Sequence, residues 1–178
     1  MSTLRDNPNC CEYEEHMKKK IGIVMLMGLL PFTSLGKELP TSDYVLSQLQ
    51  SGKLVNDGKW IEKNNNDGKA YQSLKSGEYS FTLSKDFFEV AQSVDPNGID
   101  SENNALKVHT VCLMIATIGL KRNLTEQENS AVIDTVAGSA QIVPTGAYSV
   151  VDGFDFYSLI KAVNGNPVFT CGLRNAIH

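Results

Sequence analysis

Residues 17–38 read MKKKIGIVMLMGLLPFTSLGKE, and this stretch decides how much of the chain is left to fold. A secretory signal needs a basic start, an apolar run of about 7–15 residues and small residues ahead of a cut. Lys18, Lys19 and Lys20 supply the charge, and Ile21 to Leu35 supply the run, with Pro31 near its end. Ser34-Leu35-Gly36 then puts small residues at the −3 and −1 positions of a cut before Lys37. Two other readings compete. A membrane anchor takes about 20 apolar residues, and Ile21 to Gly36 gives 16 uncharged ones interrupted by Pro31, Thr33 and Ser34. A buried helix of a globular domain seldom lacks a polar face over such a length after three lysines. The signal peptide is the preferred reading. Over residues 17–36 the stretch resembles the leaders of exported bacterial proteins; no other family resemblance is carried by a specific motif.

Residues 1–16, MSTLRDNPNCCEYEEH, hold one basic and four acidic residues, which weaken the charge asymmetry a signal needs. They are read as an over-called leader ahead of a true start at Met17. The mature chain is then 37–178, a single domain of 142 residues, long enough to bury a modest core. Lys37 stands where a lipid-anchored chain needs cysteine. The removed segment carries four cations and four anions, so the net charge stays at −4. That mild acidity argues against nucleic acid, whose footprint is a basic face, and against an anionic membrane surface. The expected location is the periplasm or the cell exterior.

Cleavage also changes the cysteine arithmetic. Cys10 and Cys11 leave, and Cys112 and Cys171 remain. An isolated pair in an oxidising compartment reads first as a disulfide. It closes a loop of about 60 residues, worth roughly 4 kcal/mol on the chain-entropy model. The bond ties the tail to the most apolar segment, Val111 to Leu120, which has no charge.

The pattern along 37–178 predicts a mainly α fold, a bundle of about five helices. Pro40-Thr41-Ser42-Asp43 opens a helix with Val45, Leu46 and Leu49 on one face and Gly52 as the stop. Asn56-Asp57-Gly58 suggests a short hairpin near 54–61, and KNNNDGK (63–69) is a polar loop. Ser84 and Asp86 lead into Phe87, Phe88, Ala91 and Val94 at helical spacing. Ser101 with Glu102 starts a helix that continues through ALKVHTVCLMIATIGL and ends near Lys121-Arg122. Thr125 and Glu128 form a capping box for a helix reaching about Ser139, with Val132, Ile133, Val136 and Ala137 inward. Asp155 caps a last helix, FYSLIKAV, stopped by Asn164-Gly165-Asn166-Pro167. The tail VFTCGLRNAIH shows no period.

Chemistry-bearing motifs are sparse. His109 and Cys112 stand three apart on one helix face, and a Cys–His pair is what thiol catalysis needs. Catalytic thiols are usually partly exposed, however, and Cys112 lies inside VCLMIATI. His109, Cys112, Cys171 and His178 suit zinc by type, but the second pair is spaced more widely than zinc motifs are. DPNGIDSE (95–102) puts Gly98 fourth, where a calcium loop needs it sixth. Asp152 and Asp155 form a carboxylate pair of the kind used in acid–base work. No phosphate loop, nucleophile elbow or His-Glu-x-x-His motif is present. Asn123-Leu124-Thr125 is a glycosylation sequon. No cofactor or metal is expected.

What remains is surface. Trp60, Tyr71, Tyr79, Tyr148 and Tyr157 read as lying in or beside loops, and such residues anchor interfaces well. Two stretches stand out: the loop around Trp60 to Gly68, with Asn65 and Asp67, and the loop around Pro144 to Gly153, with Tyr148, Asp152 and the adjacent Phe154. The leading expectation is an exported helical protein that binds another protein, as an inhibitor or immunity protein does. Protection against a secreted, cell-wall-targeting toxin or hydrolase is the favoured guess, by analogy of plan with small helical immunity proteins. The alternatives are a thiol hydrolase using Cys112 and His109, and a structural or chaperone part of an envelope assembly. A homodimer is compatible with each.

Overall fold

The computed structural model describes residues 37–94 and 102–176. The leader and signal readings of 1–16 and 17–36, all of the calcium-loop reading of 95–102 except Glu102, and His178 lie outside these residues.

Among the described residues there are three helices, and α1 and α3 open on caps that the sequence offers. Helix α1 spans Ser42–Ser51, and the Thr41 side chain accepts the Tyr44 amide at its start. Helix α2 spans Glu102–Leu120. Helix α3 spans Glu126–Ser139 and opens on the expected capping box, with Thr125 and Glu128 each satisfying an amide of the other's turn. On α3 the inward face is Val132, Thr135, Val136 and Ser139. Ile133 is 41% exposed and Ala137 also faces out, so the expected inward set is corrected at those two positions.

The rest is sheet, which overturns the five-helix, mainly α expectation. Strands β1 (Ile61–Asn64), β2 (Ala70–Ser76), β3 (Tyr79–Leu83) and β4 (Phe87–Ser93) form an antiparallel meander. After α2 and α3 come β5 (Ala147–Val151), β6 (Phe154–Val163) and β7 (Asn166–Asn175). Strand β7 pairs antiparallel with both β6 and β4, giving one seven-stranded sheet in the order β1-β2-β3-β4-β7-β6-β5. The segments read as helices from Phe87 and from Asp155 are β4 and β6, and the tail without a period supplies β7, an interior strand. The first hairpin runs from Ile61 to Ser76 around the polar KNNNDGK loop, not at 54–61.

Turn chemistry explains the hairpins. Asp152-Gly153 and Asn164-Gly165 both have positive φ (50° and 82°, 53° and 82°), the left-handed pair that a two-residue turn between twisted strands requires. Between β3 and β4 the Ser84 hydroxyl accepts the amides of Asp86 and Phe87 at 3.1 Å, closing a tight turn rather than capping a helix.

The helices gather on one face. Helix α2 lies over β4 and β7, α3 lies over β5 and β6, and α1 packs beside α2. Register aligns Leu83, Phe88, Leu173 and Phe156 in one row across the sheet, and Leu74, Phe81, Val90 and Cys171 in the next. These side chains meet Val45, Leu49, Ile115, Ala116, Val132 and Val136 in a single core. Helix α2, with its uncharged half, is therefore enclosed by sheet on one side and by α1 and α3 on the other. Gly119 brings α2 close to the sheet, since a Cβ there would lie 2.4 Å from Leu173 Cδ1. Cys112 of α2 and Cys171 of β7 are bonded at the centre of this core, with Cα atoms 6.0 Å apart.

Candidate functional site

Alternation gives every strand a second face, and none of the described helices lies on it. Two rows of side chains cross it. One runs Tyr71, Ser84, Phe87, Arg174, Asp155, Val150; the other runs Ser73, Thr82, Glu89, Gly172, Tyr157, Tyr148. The face is thus built of aromatic rings, hydroxyls and charges, unlike the apolar face beneath the helices.

Its centre is a polar cluster drawn from β4, β6 and β7. The Tyr157 hydroxyl donates to the Glu89 carboxylate. The Arg174 guanidinium stands 5.4 Å over the Tyr157 ring, a cation–π contact. Arg174 Nε also donates to Asp155 Oδ2 at 3.4 Å. Burial raises the Tyr157 phenol above its ordinary pKa, and the Glu89 charge raises it further. Tyr157 is therefore a neutral donor throughout the physiological range. Gly172 sits between Glu89 and Tyr157 because a Cβ there would meet Phe88 O at 2.5 Å and Glu89 Cα at 2.8 Å.

Beside the cluster an open cleft of about 680 Å³ runs between the β1–β2 loop and the β3–β4 turn. Tyr71 and Phe87 give it aromatic walls, Lys69 and Lys85 place cations at the rim, and Glu89 links it to the cluster. Its volume falls within the range of ligand and anchor-residue pockets.

The six residues singled out from sequence do not converge. Trp60 Nε1 donates to Ser42 O at 2.9 Å, pinning α1 to the chain ahead of β1. The Asn65 carboxamide oxygen accepts the amides of Asp67 and Lys69 at 3.0 and 2.8 Å, which shapes the β1–β2 loop at the cleft rim. Asp67 is exposed on that loop. Tyr148, Asp152 and Phe154 lie at the opposite edge, six strand spacings or roughly 29 Å away. Phe154 is core, 3% exposed, whereas Tyr148 is 68% exposed on the open face. Asp152 accepts from Lys37 and from Arg122, whose fork also grips Glu128 at 2.7 and 2.9 Å. Lys37, then Arg122, holds the Asp152 carboxyl below the usual range. This network ties the start of the domain to the α2–α3 junction and the β5–β6 turn.

The site residues that sequence reasoning missed are Phe87, Glu89, Asp155 as a face residue, and Arg174. Asp155 pairs with Arg174 rather than capping a helix. Sulfur chemistry has no free thiol at Cys112, which is fully buried in the disulfide. Among the described residues no group of three or more His, Cys, Asp or Glu is placed to hold a metal, and no helix is long and apolar enough to cross a membrane. Comparison with protein-family models, curated proteins and solved structures gives no match.

Proposed function

We propose that the protein is exported and acts by binding another protein, in the manner of an inhibitor or immunity protein, through the open face of its sheet. The single observation behind this reading is the composition of that face: aromatic walls around a cleft, with paired charges beside them, on a sheet whose other face carries helices over β4, β5, β6 and β7. Aromatic and arginine side chains dominate the energetics of such contacts. Rings that keep a polar tip anchor with little entropy loss. The partner suited to the cleft inserts an apolar or aromatic anchor between Tyr71 and Phe87 and offers acidic groups to Lys69 and Lys85. The analogy with helical immunity proteins is dropped, because the plan is not helical. The reading rests on the face itself and on the basic–apolar–small pattern of residues 17–36.

The test is genetic. Deleting the gene sensitises the cell to toxins of neighbouring cells, and the parent chain restores resistance. A Lys69→Glu, Lys85→Glu chain does not, because both lysines are exposed at the rim and neither supports the fold. Full protection by that variant, or no sensitivity on deletion, refutes the reading.

A further inference from the structure

The two edges of the sheet are treated differently. Strand β1 is four residues long and carries Glu62 and Lys63, the short charged form that discourages strand addition. Strand β5, at five residues, is nearly as short but carries no charge. From Ala140 to Val151 twelve residues pass without a charge. Within them Ile142, Val143, Tyr148 and Val150 are 51, 55, 68 and 61% exposed. Strand β5 itself, AYSVV, contains no proline and pairs with β6 without a bulge. Among the described residues nothing pairs with its outer side.

We infer that β5 pairs with β5 of a second copy of this chain, antiparallel about a two-fold axis at Ser149, joining two seven-stranded sheets into one. The strand is self-complementary about that residue. Ala147 falls opposite Val151, and Tyr148 opposite Val150, twice each. Aromatic and β-branched residues are favourable cross-strand neighbours, and no like charges meet. The two-fold passes through a residue, so these pairs form whichever alternate set of amides points outward. Ser149 does not obstruct the axis, because its hydroxyl is turned under the sheet to Thr135 Oγ1 at 2.9 Å. A two-fold contact uses the same patch on both copies, which is what one unguarded edge per chain supplies. The contact area is on the order of 1,000 Å², the lower end for specific interfaces, so the dimer is reversible.

Sedimentation of the purified protein from about 1 µM to 1 mM shows a monomer–dimer equilibrium, with Kd on the order of 10–100 µM for a contact of this size. Tyr148→Lys with Val150→Lys sets cation against cation twice and weakens the dimer at least tenfold. Tyr148→Lys with Val150→Glu sets cation against anion twice, keeps the dimer, and makes it salt-sensitive. Both positions are exposed, so neither variant disturbs the core. A parent chain that is monomeric throughout, as expected if this edge takes a strand of a different protein, overturns the inference. So does identical behaviour of the two variants, which rules out this register.

Discussion

Breaking the Cys112–Cys171 bond tests the architecture at its centre. The bond joins the middle of α2 to the middle of β7 across a sequence separation of 59. Both residues are fully buried, so reduction leaves the contacts nearly intact and acts mainly on the unfolded chain. A loop of about 60 residues removes roughly 14 cal/mol/K from the unfolded ensemble, or about 4 kcal/mol at room temperature. A domain of this size unfolds with an entropy on the order of 300 cal/mol/K, so the same loss lowers Tm by about 13 °C. The assay is urea and thermal unfolding of oxidised protein, reduced protein and the Cys112→Ala, Cys171→Ala variant. The variant falls a further 1–2 kcal/mol or so, because two sulfur atoms leave a packed site. A reduced form within about 1 kcal/mol of the oxidised one refutes the reasoning: the loop would then already be closed by other contacts in the unfolded chain.

Other perturbations separate the remaining claims. Gly172→Ala forces a methyl against the β4 backbone at Phe88 O and Glu89 Cα, and is expected to cost about 3 kcal/mol in a denaturant titration. Trp60→Phe keeps the ring but removes the donor to Ser42 O, a loss of about 1 kcal/mol with no change in fold by circular dichroism. Thr125→Ala removes the α3 cap and lowers Tm by roughly 3 °C. Glu128 carries a pH signature. The Arg122 fork, then the Thr125 amide, lowers its pKa from 4.5 to about 2, so its contribution is whole above 4.5 and fades as pH falls through 2. Because the pair is exposed, the Tm gap between parent and Glu128→Gln is small, and it closes on acidification.

The helices were legible because caps and period agreed. Thr41, the Thr125–Glu128 box and the stop near Lys121 all fall where the structure has them. The strands were hidden by polar residues at inward positions. Gln92 and Ser158 face the helices, and Ser158 does so because its hydroxyl donates to Ser139 Oγ at 2.8 Å. Each breaks the period of two. In β4 the survivors Phe87, Phe88, Ala91 and Val94 then mimic a helical stripe. The Asp-Gly and Asn-Gly pairs at 152 and 164 were the available hairpin signals, and Asn164-Gly165 was read as a helix stop. Cys171 lies on a strand buried on both sides, where no alternation is left to see. The polar cluster on the open face was beyond local reading altogether. Phe87, Glu89, Tyr157 and Arg174 come together only through pairing registers that link positions up to 87 residues apart.

Strand β7 lies inside the sheet, between β4 and β6, although it is the last of the described elements in chain order. The meander of β1 to β4 and the hairpin of β5 and β6 touch along the sheet only through it. Until residues 166–175 emerge from the ribosome, Phe88 and Phe156 each lack the row-mate Leu173 that would join their halves. Cys112 has no sulfur to meet before the same moment. Closure by the final strand makes folding slow and late, as expected for pairings so distant in sequence. A chain built this way cannot complete its core until that strand has been made.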